Sequence, residues 1–425
     1  EQVDFPGLTI PPIPASSLFE TESEDFEQKQ INFSVLAEKE IGVHHLLVGF
    51  DYLDKSVTRP IHRIQTNLIT NETTSVINGY QHSGKTFPDA DVTQFGAFVQ
   101  DYVDLTDELT LVAGLRYDSF KNTPNVDEAY QNFNIAGAVP ESYSDDAVSP
   151  HLGLVYQLTD HTSLFANLTT GFRAPPVAEQ YISRAILIPV PGVPHEVIPN
   201  NALESETSQG MELGVRWNND ISKVEFSVYQ NDYEDFIDSK TIGFREMFPM
   251  FVGNLAIRQI QFQNIDEVEI KGAEFSAHLV MDSFLPEGWK GDAHIALSVI
   301  DGENTTEGTG LNSVPANSGV IGFNLSPNDA IEFHWHLRAA SKADDAEPLS
   351  RRGQRLPSFE PPGYGIQDVS IRYSVSEDLV LSLSAYNITD KKYWGSHAKG
   401  SNASGDLDAS VQPGRQFALS ASYQF

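Results

Sequence analysis

The chain has 425 residues, no cysteine and a formal net charge of -32, with 59 Asp and Glu against 27 Lys and Arg. Disulfides, zinc-thiolate centres and cysteine nucleophiles are therefore excluded, and the acidic balance argues against nucleic acid, which needs clustered cationic side chains. Hydrophobic residues make up 40%, yet no window approaches the ~20 consecutive apolar residues of a membrane helix, so a membrane role has to use strands or surface attachment.

The opening residues EQVDFPGLTI carry neither the basic nor the apolar region of a secretory signal. Either a leader has been removed or the protein begins upstream. From residue 26 onward, period-2 alternation predicts about fifteen strands: roughly 26–40, 42–59, 92–103, 109–120, 148–158, 162–173, 207–217, 222–238, 261–282, 291–300, 313–325, 331–341, 363–374, 379–390 and 411–425. In the fourth, Leu109, Leu111, Ala113, Leu115 and Tyr117 share one face, opposite Thr110, Val112, Gly114, Arg116 and Asp118. The seventh sets Met211, Leu213, Val215 and Trp217 against Glu212, Gly214 and Arg216, and the twelfth sets Ile331, Phe333, Trp335 and Leu337 against Glu332, His334, His336 and Arg338. Such strands have one apolar and one polar face.

A soluble sandwich alternates in the same way, so the connections discriminate. Short turns at 104–108, 158–162, 217–221, 326–330 and 374–378 use turn chemistry. Between them lie long polar links at 60–91, 121–147, 174–206, 239–260, 301–312, 342–362 and 391–411, with one longer turn near SFLPEGWK. Loops beyond about 12–15 residues are uncommon in compact domains, and their placement at every second connection is that of a bacterial outer-membrane barrel, with short turns in the periplasm and long loops outside. The first short turn, near 38–42, follows the first strand, which therefore descends from outside. An open edge is not tolerated in lipid, so preceding strands are expected beyond this sequence. At the other end Phe417, Leu419, Ala421, Tyr423 and Phe425 share a face and the chain stops on an aromatic residue. That pattern looks like the terminal signal by which the barrel-assembly machinery recognises its clients.

Five segments, LTTGFRAPPVAEQY (168–181), ALESETSQGMELGVRW (202–217), FQNIDEVEIKGAEFSA (262–277), SAYNITDKKYW (384–394) and PGRQFALSASYQF (413–425), together resemble the C-terminal barrel of TonB-dependent outer-membrane receptors across nearly the whole chain. The resemblance implies an all-β, transmembrane antiparallel barrel of 22 strands with a plugged lumen. About 15 are present, so residues 1–425 read as one N-terminally incomplete barrel domain that lacks the plug, the TonB box and the first strands, and is transport-incompetent alone. Arg116, Glu212, Arg216, Glu225, Glu332, Arg338 and Arg372 would line the lumen, and the opposite faces would meet lipid. The implied function is active uptake of an iron source, first haem or haemoglobin and second a ferric siderophore or cobalamin-like cargo, powered by the TonB-ExbB-ExbD complex through the missing N-terminal part. Outer-membrane lipids and lipopolysaccharide are further expected partners. A TonB-independent channel or adhesin is the competing class; a soluble hydrolase has no nucleophile elbow or paired carboxylates to support it.

In the haem and haemoglobin branch of that family, two boxes flank an external loop that carries a haem-binding histidine. Here the boxes, whose residues are themselves candidate ligand contacts, are Phe172, Arg173, Ala174 and Pro175, and then Pro199, Asn200, Asn201 and Leu203, and the one histidine between them is His195 in VPGVPHEVIPN. A neutral imidazole nitrogen is a good axial donor to haem iron. The second box has an extra residue against the family form NPNLKPETS, and an ordinary solvent-exposed loop histidine or another ligand contact fits the same position. Tyr181 reads as a ligand contact or as a girdle residue at the rim. His334 and His336 share a face, as a metal pair or as satisfied lumen residues. Arg351, Arg352 and Arg355 form a basic cluster suited to haem propionates, anionic siderophores, lipopolysaccharide phosphates or simple solvation. No intrinsic cofactor is expected; haem or siderophore would be cargo.

Overall fold

The structure is a computed structural model that describes residues 18–77, 80–81, 83–134, 137–186, 195–246, 256–344, 349–351, 354–356, 358–400 and 407–424. All fifteen predicted strands form: Glu27–Ile41, His44–Thr58, Asp89–Asp104, Leu109–Asn125, Tyr143–Thr159, Thr162–Arg173, Glu206–Asn218, Ser222–Glu246, Ala256–Val280, Lys290–Asn304, Ser318–Asn328, Ile331–Ala340, Tyr364–Ser374, Leu379–Tyr386 and Gln416–Tyr423. Each pairs antiparallel with its neighbour in chain order. The first and last pair on one side only, and no ladder joins them among the described residues, so the wall is an arc of barrel with two open edges. Both edge strands are exposed along their whole length.

Short turns fall at one end of the wall and long links at the other, as the alternation predicts. The first short turn closes through Gly42, whose φ of 63° lies in the left-handed region where a Cβ would be strained. The wall is one layer thick, so it has two surfaces and no core. Its outward face carries exposed Leu213, Val299 and Leu383, suited to hydrocarbon. On the outer face of the first four strands Phe33, Phe50, Phe95 and Tyr117 contact edge to face in series, with centroids 6.1, 5.0 and 6.2 Å apart. The inner face is polar and internally paired. Arg116 bonds Asp51 and Asp118, Arg216 meets Glu225, Glu332 meets Arg372, and Arg338 meets Asp368. Glu212 accepts from Asn167 at 3.1 Å.

The long links hold more structure than their sequence suggests. Residues Leu18–Glu24 pair with Pro60–Asn67, so the first hairpin continues beyond the wall where a loop from residue 60 was expected. Likewise the eighth and ninth strands run 25 residues each and absorb most of the expected 239–260 link. Above the wall neither face meets lipid, so these extensions lack the clean apolar register that marks strands lower down. Among the described residues, two closed cores lie here. Phe87, Ala90, Val92, Phe120, Val177 and Tyr181 pack in one, and Ile265, Val268, Leu311 and Val314 in another.

Candidate functional site

The sixth strand ends on Arg173, placed in register opposite Glu206 at the start of the seventh. The Arg173 guanidinium bonds both Glu206 oxygens, one at 2.6 Å, and both Glu179 oxygens at 3.1 Å. Glu206, 6% exposed, also accepts from the backbone N–H of Ile237 at 2.6 Å. The first box is thus clasped to the start of the seventh strand, just after the second box, and through it to the eighth strand. Burial pushes the Glu179 carboxyl above the ordinary glutamate range against the pull of Arg173, and burial raises Asp238 nearby in the same direction.

Beyond the clasp, Phe172 faces Thr207 across the ladder, and Ala174 packs on the first core. The Pro175 carbonyl accepts from Asn122, which is buried and also donates to Gln180 at 2.7 Å. A short helix, Val177–Tyr181, then delivers Tyr181 into the core. Tyr181 is 0% exposed and its hydroxyl donates to the Glu141 carbonyl at 2.6 Å. Expected as a ligand contact or a girdle residue, it is neither here: it is the centre of the packing under the rim. The second box is also built in. The Pro199 carbonyl accepts from Gln261, Asn200 donates to Phe262 O and Gln180 O, Asn201 donates to Val139 O, and Leu203 is buried.

Between the boxes, His195 sits in a strand and not in a free loop. Residues His195–Val197 pair antiparallel with Arg184–Ile186 and parallel with Arg258–Ile260 of the ninth strand. Glu196, the next residue, is 2% exposed and binds Arg245 at 2.6 and 3.0 Å and Gln259 at 2.8 Å. Since strand neighbours point to opposite faces, that buried anchor turns His195 to the other, half-buried side. Arg184 is held by Glu22 at 3.0 Å and Glu24 at 3.5 Å, tying this short strand to the extended first hairpin. Arg258, in register with His195, is half-buried; its Nε is buried without a hydrogen-bond partner, and burial holds its pKa below the usual arginine value.

Sequence reasoning missed Glu196, Arg245 and Arg258. The signal available was weak: a charged residue beside the histidine, and an Arg-Gln pair in a segment that reads as a loop.

His334 and His336 each have another neighbour on the lumenal face. His334 Nδ1 lies 2.6 Å from Asn324 Oδ1, and His336 leans across Gly322 to His294 with ring centroids 5.4 Å apart. A side chain at Gly322 would collide with both rings. Among the described residues no group of three or more His, Asp or Glu is placed to hold a metal. Arg352 lies outside the described residues, as do the side chains of Arg351 and Arg355. At the terminus Phe417, Leu419, Ala421 and Tyr423 are exposed along the edge strand, and Phe425 lies outside the described residues.

Three comparisons bear on this arrangement. The profile of the TonB dependent receptor-like β-barrel family matches residues 8–388. The hemoglobin-haptoglobin utilization protein B of Neisseria meningitidis serogroup C is 28% identical over 312 residues, 68% of this chain and 37% of that protein. The rhizobactin receptor of Rhizobium meliloti is 26% identical over 371 residues, 80% of this chain and 45% of that protein. The chain thus spans less than half the length of these relatives. Among solved structures, the copper transporter OprC superposes with a TM-score of 0.69 at 19% identity, covering 95% of this chain and 58% of that one. The siderophore receptor PirA from Acinetobacter baumannii gives 0.62 at 17% identity, covering 95% and 55%. At these identities the structural likeness speaks for the fold.

Proposed function

Starting from the premise that the chain belongs to the TonB-dependent receptor β-barrel family of the outer membrane, we propose that the whole protein imports an iron source, with haem or haemoglobin as cargo and His195 as an external ligand to haem iron. The observation that carries this reading is the seat of His195. It lies between the two family boxes on a strand paired on both sides, and the buried Glu196 beside it turns the imidazole to the half-buried face. A backbone held in this way loses little freedom when the ring takes an axial position, which favours binding. The box residues Phe172, Arg173, Ala174, Pro175, Pro199, Asn200, Asn201 and Leu203 flank the strand and position it. Similarity to the hemoglobin-haptoglobin utilization protein supports the cargo class.

Energy for release would come from TonB-ExbB-ExbD acting on the N-terminal part of the whole protein. The barrel-assembly machinery would read the terminal aromatic face, and lipopolysaccharide would meet the outer rim. A ferric siderophore is the second reading, favoured by the similarity to the rhizobactin receptor across 80% of the chain.

Haemin titration of the whole receptor in detergent tests the proposal. The expected result is a shifted Soret band that weakens in His195→Ala, with loss of haem-dependent growth. An unchanged spectrum and unchanged growth in that variant remove His195 from the mechanism. No Soret change in the wild type, with siderophore-dependent growth instead, replaces the first reading by the second.

A further inference from the structure

The upper parts of the eighth and ninth strands join Arg184–Ile186 and His195–Val197 in a small four-stranded rim sheet with two unlike faces. One face is closed: Arg245 and Gln259 both donate to Glu196, and Ile257 beside them is fully buried. The other face is half-buried. Across one row of the register stand His195, Arg258 and Phe244, and across the next Arg184, Val197, Ile260 and Thr241, with Arg184 already paired to Glu22 and Glu24.

This face combines three chemistries in two adjacent rows: an imidazole, a guanidinium and an apolar floor of Phe244, Val197 and Ile260. Arg258 is its unusual member. Most arginines of the rim have carboxylates, as Arg173, Arg184 and Arg245 do. Arg258 has no ion pair among the described residues, and its Nε is buried with no acceptor. A desolvated guanidinium without an anion is costly, and its planar fork of donors matches a carboxylate in bidentate geometry.

We propose that Arg258 binds a carboxylate of the cargo, so that a planar apolar macrocycle lies over Phe244, Val197 and Ile260 while its metal meets His195. This rests on the haem reading above and adds to it the group that recognises the periphery of the ring. Arg258 is thereby a specificity-determining residue, and one absent from both family boxes.

The test uses the whole receptor in detergent with two probes, haemin and haemin dimethyl ester, whose carboxylates are masked. Arg258→Gln is expected to weaken haemin about tenfold or more, the scale of a lost charge-assisted bond, and to leave the ester unchanged, which also reports that the variant is folded. Arg258→Lys should recover part of the haemin affinity by restoring the charge without the fork. If Arg258→Gln changes haemin affinity less than twofold, or weakens both probes equally, the assignment of Arg258 is overturned. In that case a Soret loss confined to His195→Ala leaves the haem reading standing. If the wild type perturbs neither probe's Soret band, the haem reading fails and the Arg258 assignment falls with it.

Discussion

The wall and the rim of this molecule are built from one continuous set of strands but held together differently. In the wall, charged pairs face an open lumen: Arg216 and Glu225 have side chains 48% and 44% exposed. In the rim, the acceptors are buried: Glu206 by the clasp with Arg173, and Glu196 by Arg245 and Gln259. Exposed pairs contribute about 0–1 kcal/mol, whereas removing one partner of a buried pair costs about 3–5 kcal/mol. The single-layered wall draws its stability from ladders and lipid, and the rim from closed packing. The rim is therefore the part that can be specific in shape.

The largest expected effect is at Glu206. Its loss in Glu206→Ala leaves Arg173 with Glu179 alone and the Ile237 N–H without its acceptor, and the lost charge-assisted bonds together should destabilise the folded receptor by about 3–5 kcal/mol. Urea unfolding followed by intrinsic fluorescence would measure it. Proteolysis should concentrate in the 174–205 link, and a loss spread evenly over the chain would count against a clasp. Next in size is a paired substitution in the wall. Leu213→Arg places a charge on the lipid face midway along the seventh strand and should cost about 2–4 kcal/mol near the bilayer midplane. Glu212→Arg, one residue away on the lumenal face, should cost much less. Equal costs would mean that the wall does not have a lipid side and a water side.

A pH experiment separates the two regions again. Burial raises the folded-state pKa of Glu179 and of Asp238 above their ordinary values. A carboxyl raised in the folded state stabilises while protonated, so its contribution is present at low pH and is lost as pH rises through the folded pKa. The rim should therefore tighten, and its link resist protease better, when pH falls from neutral toward the ordinary glutamate range. Glu179→Gln should flatten that profile. A rim that loosens on mild acidification would show that the ion pair with Arg173 outweighs burial.

How much of this was legible in sequence follows the same division. All fifteen wall strands were readable because lipid on one face and water on the other impose a strict period of two, and the chain obeys it from Ile31 to Tyr423. Rim strands meet neither solvent so cleanly. Arg184–Ile186 and His195–Val197 are three residues each, and their partners come from distant segments such as Arg258–Ile260, so no local pattern announces them. The FRAP and SETS segments were visible as motifs, yet their joint role was not. It depends on Arg173 and Glu206 falling opposite each other across a 32-residue excursion from 174 to 205. His195 was found by elimination within that excursion, while Arg258 had no motif to mark it.

The smallest effect is expected at Arg216, and its size is informative because it is small. Arg216 meets Glu225 at 3.0 Å and lies 4.1 Å from the centroid of the Phe165 ring, both on the lumenal face. Arg216 and Glu225 are both half exposed although the Phe165 ring is buried, so water replaces much of what Arg216→Ala removes, and the pair and the ring contact together should contribute about 1 kcal/mol or less. Urea unfolding in low and in high salt checks the reasoning from both sides. The wild type should lose most of that increment at high salt, where exposed charges are screened, and the variant should show no such loss. A salt-insensitive cost of several kcal/mol would place Arg216 in a dry environment, against its half-exposed position in the structure. The lumenal wall would then resemble the rim, and the distinction between a hydrated channel and a packed crown would not hold at the seventh strand.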